Sequence, residues 1–296
     1  MTTTTDIPIQ QFPEPSVVQK TFIEATLLAG FSDETHYDML CGEYVSTLDE
    51  IGAQSARDAA QAARHYVATL VPPTHPDFFS DIVRRPIAED HVQQIVSDPV
   101  FRRSFAGIPH RFAYVDLTRL VALQSWVKPR RGSLPTDDAG LLAFALPTNW
   151  EVPVEINYLP QTKSIQVFSS APALSGLQID FDRTEGRVIL SPPKHPNLVQ
   201  VAIFNGRGYL RDGYHRVVDA LAQGVTELPA IVTQAVRPDQ VQLPAATCFN
   251  LLHVKALPRP PLVSDFLTPA ATTTRVRERR YGVLISLDVR PFNIGV

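Results

Sequence analysis

The sequence predicts an α+β fold, and three observations carry that prediction. The first third repeats apolar residues at helical spacing. The middle alternates short apolar runs with turn residues. Between Gln200 and Val232 the chain reads as one strand–turn–helix–strand unit. Of the 296 residues, 44% are hydrophobic and 19% charged, which is enough apolar material for one large domain with extensions.

Residues 1–109 are expected to be a helical region. Ser16 reads as the cap of a segment with Val17, Val18, Phe22, Ala25, Leu28 and Ala29 on one side, closed by Gly30. A second amphipathic segment covers 37–48. Over 55–70, Ala56, Ala59, Ala60, Ala63, Val67 and Leu70 keep helical spacing until Pro72 and Pro73 stop it. A further helix is expected over 86–97, because proline fits a first helical turn, with short helical pieces reaching Phe105. These stripes carry no catalytic constellation. They read as a structural cover or as the surface of a homo-oligomer.

The pattern changes near His110. Residues 141–146, 152–158, 164–168, 177–181, 187–190 and 199–204 are each read as strands, with clear alternation in Val152, Val154, Ile156 and Tyr158. Asn205 and Gly206 mark a hairpin turn. A helix over 214–222, ended by Gly224, leads to a strand over 228–232. The domain is therefore placed at 110–235, with a β-rich insertion at about 133–198. Residues 236–296 are a proline-rich extension whose last strand covers 281–289.

Composition excludes several functions. The net charge is −3, from 27 basic and 30 acidic side chains, whereas a duplex-DNA partner asks for a basic excess. Cys41 and Cys248 are far apart and show no CxxC spacing, so neither a disulfide framework nor a structural zinc is expected. The N-terminus lacks a basic and apolar leader, and apolar runs stop short of the ~18 residues a membrane helix needs. A soluble cytoplasmic protein is expected. His36, His65, His91, His110, His195 and His253 show no paired metal-ligand spacing, and GxSxG, Walker A and GxGxxG patterns are absent. Arg275, Arg277, Arg279 and Arg280 read as a solvated face or a charge-protected edge strand. Trp126 and Trp150 read as packing residues.

The chemistry concentrates at 209–216. A strand ends at Asp212, Gly213 turns the backbone, and a helix opens at Tyr214. A helix N-terminus carries unpaired N–H groups and partial positive charge, which attracts anions. His215 and Arg216 sit in its first turn, where cations oppose the helix dipole; a bound phosphate would offset that cost. The alternative is a hairpin leading into a surface helix, with Asp212 as a cap and both cations solvated.

The run from Tyr209 to Arg216, followed by Ala220, Leu221, Gly224 and Leu228-Pro229-Ala230-Ile231-Val232, resembles the signature of the ParB/sulfiredoxin superfamily. The resemblance implies a mixed α+β domain with a nucleotide-phosphate pocket. By it, Gly213 and the N–H groups from Tyr214 onward would cradle phosphate oxygens, with donors from Arg211, His215 and Arg216. Asp212 would hold Mg²⁺ or act with His215 in catalysis. Upstream, Val115 to Gln124 and then Lys128-Pro129-Arg130 resemble the start of such domains, and Lys128 or Arg130 would reach the same phosphates. The implied function is binding of ATP, another nucleotide or a phosphorylated small molecule, as in an ATP-dependent phosphotransferase or nucleotide hydrolase using Mg²⁺. The alternative is a non-catalytic scaffold or assembly protein that keeps the fold. Tyr214 stands where sulfiredoxins carry their reactive cysteine, so sulfinic-acid reduction is excluded. Pro238, Pro244, Pro258, Pro260, Pro261 and Pro269 make a following helix-turn-helix array a poor fit, which argues against partitioning, DNA binding and nuclease activity.

Overall fold

The chain was described as a computed structural model over residues 22–33, 50–75, 77–128, 132–169, 174, 176–182, 184–185, 187–192, 194–241, 248–277 and 281–286. It enters through strand β1 (Phe22–Leu27), which buries Ala25 and Leu27 and exposes Glu24. The helix expected over 16–29 is corrected for residues 22–27. Six residue pairs with a C-terminal strand hold them extended, and Phe22, Ile23 and Thr26 suit that state. Residues 16–21 and the segment 37–48 lie outside the described residues.

Helix α1 (Glu50–Ala68) follows the alanine pattern. Its buried Ala60 and Ala63 let it approach Ala29 closely, and a Cβ added to Gly30 would stand 2.6 Å from the Ala63 carbonyl oxygen. Next come β2 (Val83–Pro86), α2 (Glu89–Ser97) and α3 (Pro99–Ser104). The Asp98 carboxylate accepts the Val100 N–H, and Pro99 fills the first helical position, which together fix the start of α3. Strand β3 (His110–Asp116) is followed by the short strands β4 (Val121–Ala122) and β5 (Trp126–Val127).

Residues 141–146 are not the predicted strand. They lie in and just after helix α4 (Asp138–Ala145), whose Asp137 cap accepts the Gly140 N–H. An unbroken apolar run carries no period that separates a buried helix from a buried strand, and here the cap decides. The expected hairpins do form: β6 (Glu155–Leu159) with β7 (Ser164–Ser169), and β8 (Gln178–Asp182) with β9 (Arg187–Ser191). Strand β10 (Gln200–Phe204) turns at Asn205 (φ 49°) and Gly206 (φ 73°) into β11 (Arg207–Asp212). Two positive φ angles are what a tight two-residue hairpin requires. Helix α5 (Tyr214–Ala222), strand β12 (Glu227–Gln234), helix α6 (Leu251–Ala256) and strands β13 (Thr272–Arg277) and β14 (Tyr281–Ser286) complete the order.

A six-stranded mixed sheet in the order β2-β3-β12-β10-β11-β4 forms the centre, with β12 parallel to β10 and β4 parallel to β11. Val115, Val199, Val201, Leu210, Val217 and Leu228 are fully buried around it, each worth roughly 1.5–3 kcal/mol as a large apolar side chain removed from water. The expected boundaries cut through sheets. Residues 1–109 supply β2 to the central sheet, and β1 pairs with β13 from the C-terminal extension. Within the β-rich insertion, α4 packs on β12. No helix among the described residues is long and apolar enough to cross a membrane.

Candidate functional site

The corner at Gly213 is a packed turn. Its φ is +89°, and a Cβ there would lie 2.9 Å from Val199 Cγ2 and 3.0 Å from Val199 Cα. Glycine is required, as expected, but the space beside it belongs to Val199 and not to a guest. Its N–H donates to Asp212 Oδ1 at 2.6 Å.

The side chains that follow point into the protein. The Tyr214 hydroxyl accepts the N–H groups of Leu123 (2.7 Å) and Gln124 (3.1 Å) and donates to the Leu210 carbonyl (2.6 Å). Complete burial pushes that phenol far above its ordinary range. Arg216 is 5% exposed, and its Nη1 donates to the carbonyls of Phe144, Ala145 and Asn197 while Nη2 donates to Asn197 Oδ1. The phosphate expected to offset a cation at the start of α5 is replaced by the carbonyl end of α4, the negative pole of another helix. The Tyr214 hydroxyl and the Arg216 guanidinium, expected beside a phosphate, are thus engaged by groups of the protein itself. His215 accepts the Lys128 N–H on Nδ1 at 2.9 Å and meets the Trp126 ring edge-on, at 5.8 Å between centroids. The structure thus brings Lys128 to His215 through its backbone. Arg130 lies outside the described residues.

Arg211 and Asp212 face elsewhere, into a cleft of about 180 Å³. The end of α3 and the loop after it supply Ser104, Phe105 and Ile108; the loop before β10 supplies His195 and Pro196; Gln200 flanks the two strand residues. Gln200 is the register partner of Asp212 across β10 and β11, beside a bulge that lets the strand end open. The Nε of Arg211 is buried, with no hydrogen-bond partner among the described residues. Burial drives the Asp212 carboxyl above the usual carboxylate range, offset in part by the Gly213 N–H and by the charges of Arg216, His195 and Arg211.

His195, Gln200 and Ser104 escaped the sequence reading. His195 had no spaced partner, and Gln200 was seen only as a strand residue. No sequence signal marks a cleft that forms where α3 meets the ends of two distant strands. Among the described residues no group of three His, Cys, Asp or Glu side chains converges as a metal-ligand set.

A raised carboxyl pKa has a stability consequence. The folded chain holds the Asp212 proton more tightly than the unfolded chain, so this group's penalty is absent below the ordinary value of 3.8 and grows as pH rises through the folded pKa. Asparagine keeps an acceptor for the Gly213 N–H and removes the charge. Asp212→Asn is therefore expected to raise stability at neutral pH by on the order of 1 kcal/mol, with the gain vanishing in acid. Paired urea titrations across this range would count against the assignment if the gain persisted below the ordinary carboxylate pKa.

Searches against family models, curated proteins and solved structures returned no match to this chain.

Proposed function

We propose that the protein is a ParB/sulfiredoxin-like phosphate- or nucleotide-binding protein whose anion sits in the cleft beside Asp212. The observation that carries this reading is Arg211. A buried guanidinium N–H without an acceptor costs roughly 1–3 kcal/mol, and a phosphate that shifts this wall on entering the cleft would supply the acceptor through the planar fork that suits it. His195, Gln200 and Ser104 add polar groups on the other sides. The family reading is supported by the resemblance of residues 209–232 together with the order β11, glycine turn, α5, β12.

The cleft is smaller than the ~300–1,000 Å³ typical of drug-sized ligands, at about 180 Å³. It suits inorganic phosphate or the phosphate end of a nucleotide, with the remainder of the ligand outside. Asp212 would accept a hydroxyl proton there, or hold Mg²⁺ in company with phosphate oxygens, since a lone carboxylate is an incomplete ligand set.

A second reading, a non-catalytic assembly protein that keeps the fold, is favoured by the use of Tyr214 and Arg216 as internal braces. Thermal unfolding with inorganic phosphate, ATP, ADP and CTP, with and without Mg²⁺, separates the two. A ligand at a hundredfold excess over its Kd stabilises by ~2.7 kcal/mol. The expectation is a rise in midpoint that Arg211→Ala abolishes while the far-ultraviolet spectrum is unchanged. An identical rise in Arg211→Ala removes the anion from this cleft. No response to any ligand, with a defined oligomer by light scattering, establishes the assembly reading instead.

A further inference from the structure

We infer that His215 is a proton-operated latch that fastens the end of β5 to the first turn of α5 and releases it when the imidazole is protonated. The direction of the bond is fixed, because the partner is a backbone amide. Lys128 N–H can only donate, so Nδ1 of His215 must hold a free lone pair, and the ring is neutral with its proton on Nε2. An imidazolium carries N–H groups on both nitrogens and has no acceptor to offer. Protonation therefore does not weaken this bond but turns it into two donors facing each other.

The position of the bond gives it leverage. Strand β5 has two residues and, among the described residues, pairs with β1 at Thr26 with Val127 and Leu27 with Trp126, next to the Leu28 N–H bond to the Ser125 carbonyl. Lys128 is the next residue, and the His215 bond ties that end of the strand to the helix. Further along, Gln223 accepts the Leu134 N–H and donates to the Gly132 carbonyl, both at 3.1 Å. Those two bonds do not titrate. Acid release is thus confined to the Lys128 end, while the chain stays tethered to the last turn of α5.

The charged groups on neighbouring elements are largely committed to one another. On α5, Arg216 is bound to carbonyls, and Asp219, one turn beyond His215, is buried. Asp212, before the helix, is bonded to Gly213. From the turn Val263–Leu267, Asp265 is held by both arms of Arg259. From the turn Leu117–Arg119, Arg119 pairs with Asp116 at 3.1 Å. Lys128 adds a cation to the latched segment. This inference does not depend on the cleft binding an anion.

The test uses the intact chain and a built-in reporter. Trp126 is one of two tryptophans, and its ring lies against the edge of His215; the other, Trp150, is buried with Phe101. Emission is measured from about pH 8 to about pH 5 across the ~6.5 of an ordinary imidazole, alongside amide exchange at Lys128 corrected for intrinsic rates. In the wild type, Trp126 emission should fall, and the Lys128 amide should exchange roughly tenfold faster in acid, as one lost backbone bond predicts. His215→Asn offers an oxygen where Nδ1 stood and does not titrate, so both readouts should be flat. The latch is overturned if His215→Asn keeps the wild-type pH dependence, or if wild-type Lys128 is equally protected across the range. Should the asparagine variant fail to fold, the wild-type exchange profile decides alone.

Discussion

Arg216→Ala is expected to lower the unfolding free energy by about 3–6 kcal/mol, the range for losing about two charge-assisted hydrogen bonds at roughly 1.5–3 kcal/mol each. At roughly 2–4 °C per kcal/mol for a chain of this size, the melting midpoint should fall by at least about 6 °C. The reason lies in what the guanidinium leaves behind. The Phe144 and Ala145 carbonyls end α4 beyond the reach of a further helical turn, Ala145 being shared with the Val199 N–H, and the Asn197 carbonyl sits in the loop that carries the cleft residues His195 and Pro196. Alanine would leave the Phe144 carbonyl and both Asn197 acceptors without their donor, while the Ala145 carbonyl would keep the Val199 N–H. Arg216→Lys keeps the charge but is a point donor that cannot span α4 and Asn197 together, so about half the loss should remain. Asn197→Ala in the same background should add little, because its main partner is already gone. Urea titrations of the four variants measure this. A small stability change in Arg216→Ala, coupled to complete loss of phosphate binding, would show that the side chain serves a ligand and not α4.

That contrast shows where the sequence was readable. The DGYHR run announced a strand, a glycine corner and a helix, and those elements stand where they were expected because each depends on neighbours in the chain: alternation in β10 and β11, positive φ at Gly213, helix formers after it. What the side chains do depends on partners 70 to 90 residues away, such as Ala145 for Arg216 and Lys128 for His215. Local chemistry could say that a cation in a first turn needs an anionic partner. It could not say that the partner is the end of another helix. Residues 22–27 went wrong for the same reason, since their helical spacing was overruled by pairing with β13. The cleft is the extreme case: His195, Gln200 and Ser104 meet Arg211 and Asp212 only after the sheet has formed, so no local pattern announces it.

Gly213→Ala should cost about 2–5 kcal/mol, from two penalties that a single methyl group incurs together. Holding a non-glycine residue at φ +89° costs roughly 1–2 kcal/mol, and overpacking a core position adds about 1–3 kcal/mol. The overlap is with Val199 Cγ2 at 2.9 Å and Val199 Cα at 3.0 Å. A rotamer change or Val199→Ala relieves the first contact but not the second, which belongs to the backbone of the residue leading into β10. The double variant Gly213→Ala with Val199→Ala should therefore be no more stable than Gly213→Ala alone, since it also gives up the buried Val199 side chain. Both penalties fall on folding and neither on the cleft, because Arg211 and Asp212 precede the corner and keep their places on β11. Phosphate affinity measured well below the melting midpoint should be within about threefold of wild type, a difference of less than 1 kcal/mol. A Gly213→Ala protein of undiminished stability that no longer binds phosphate would put the anion back at the helix N-terminus and take it out of the cleft.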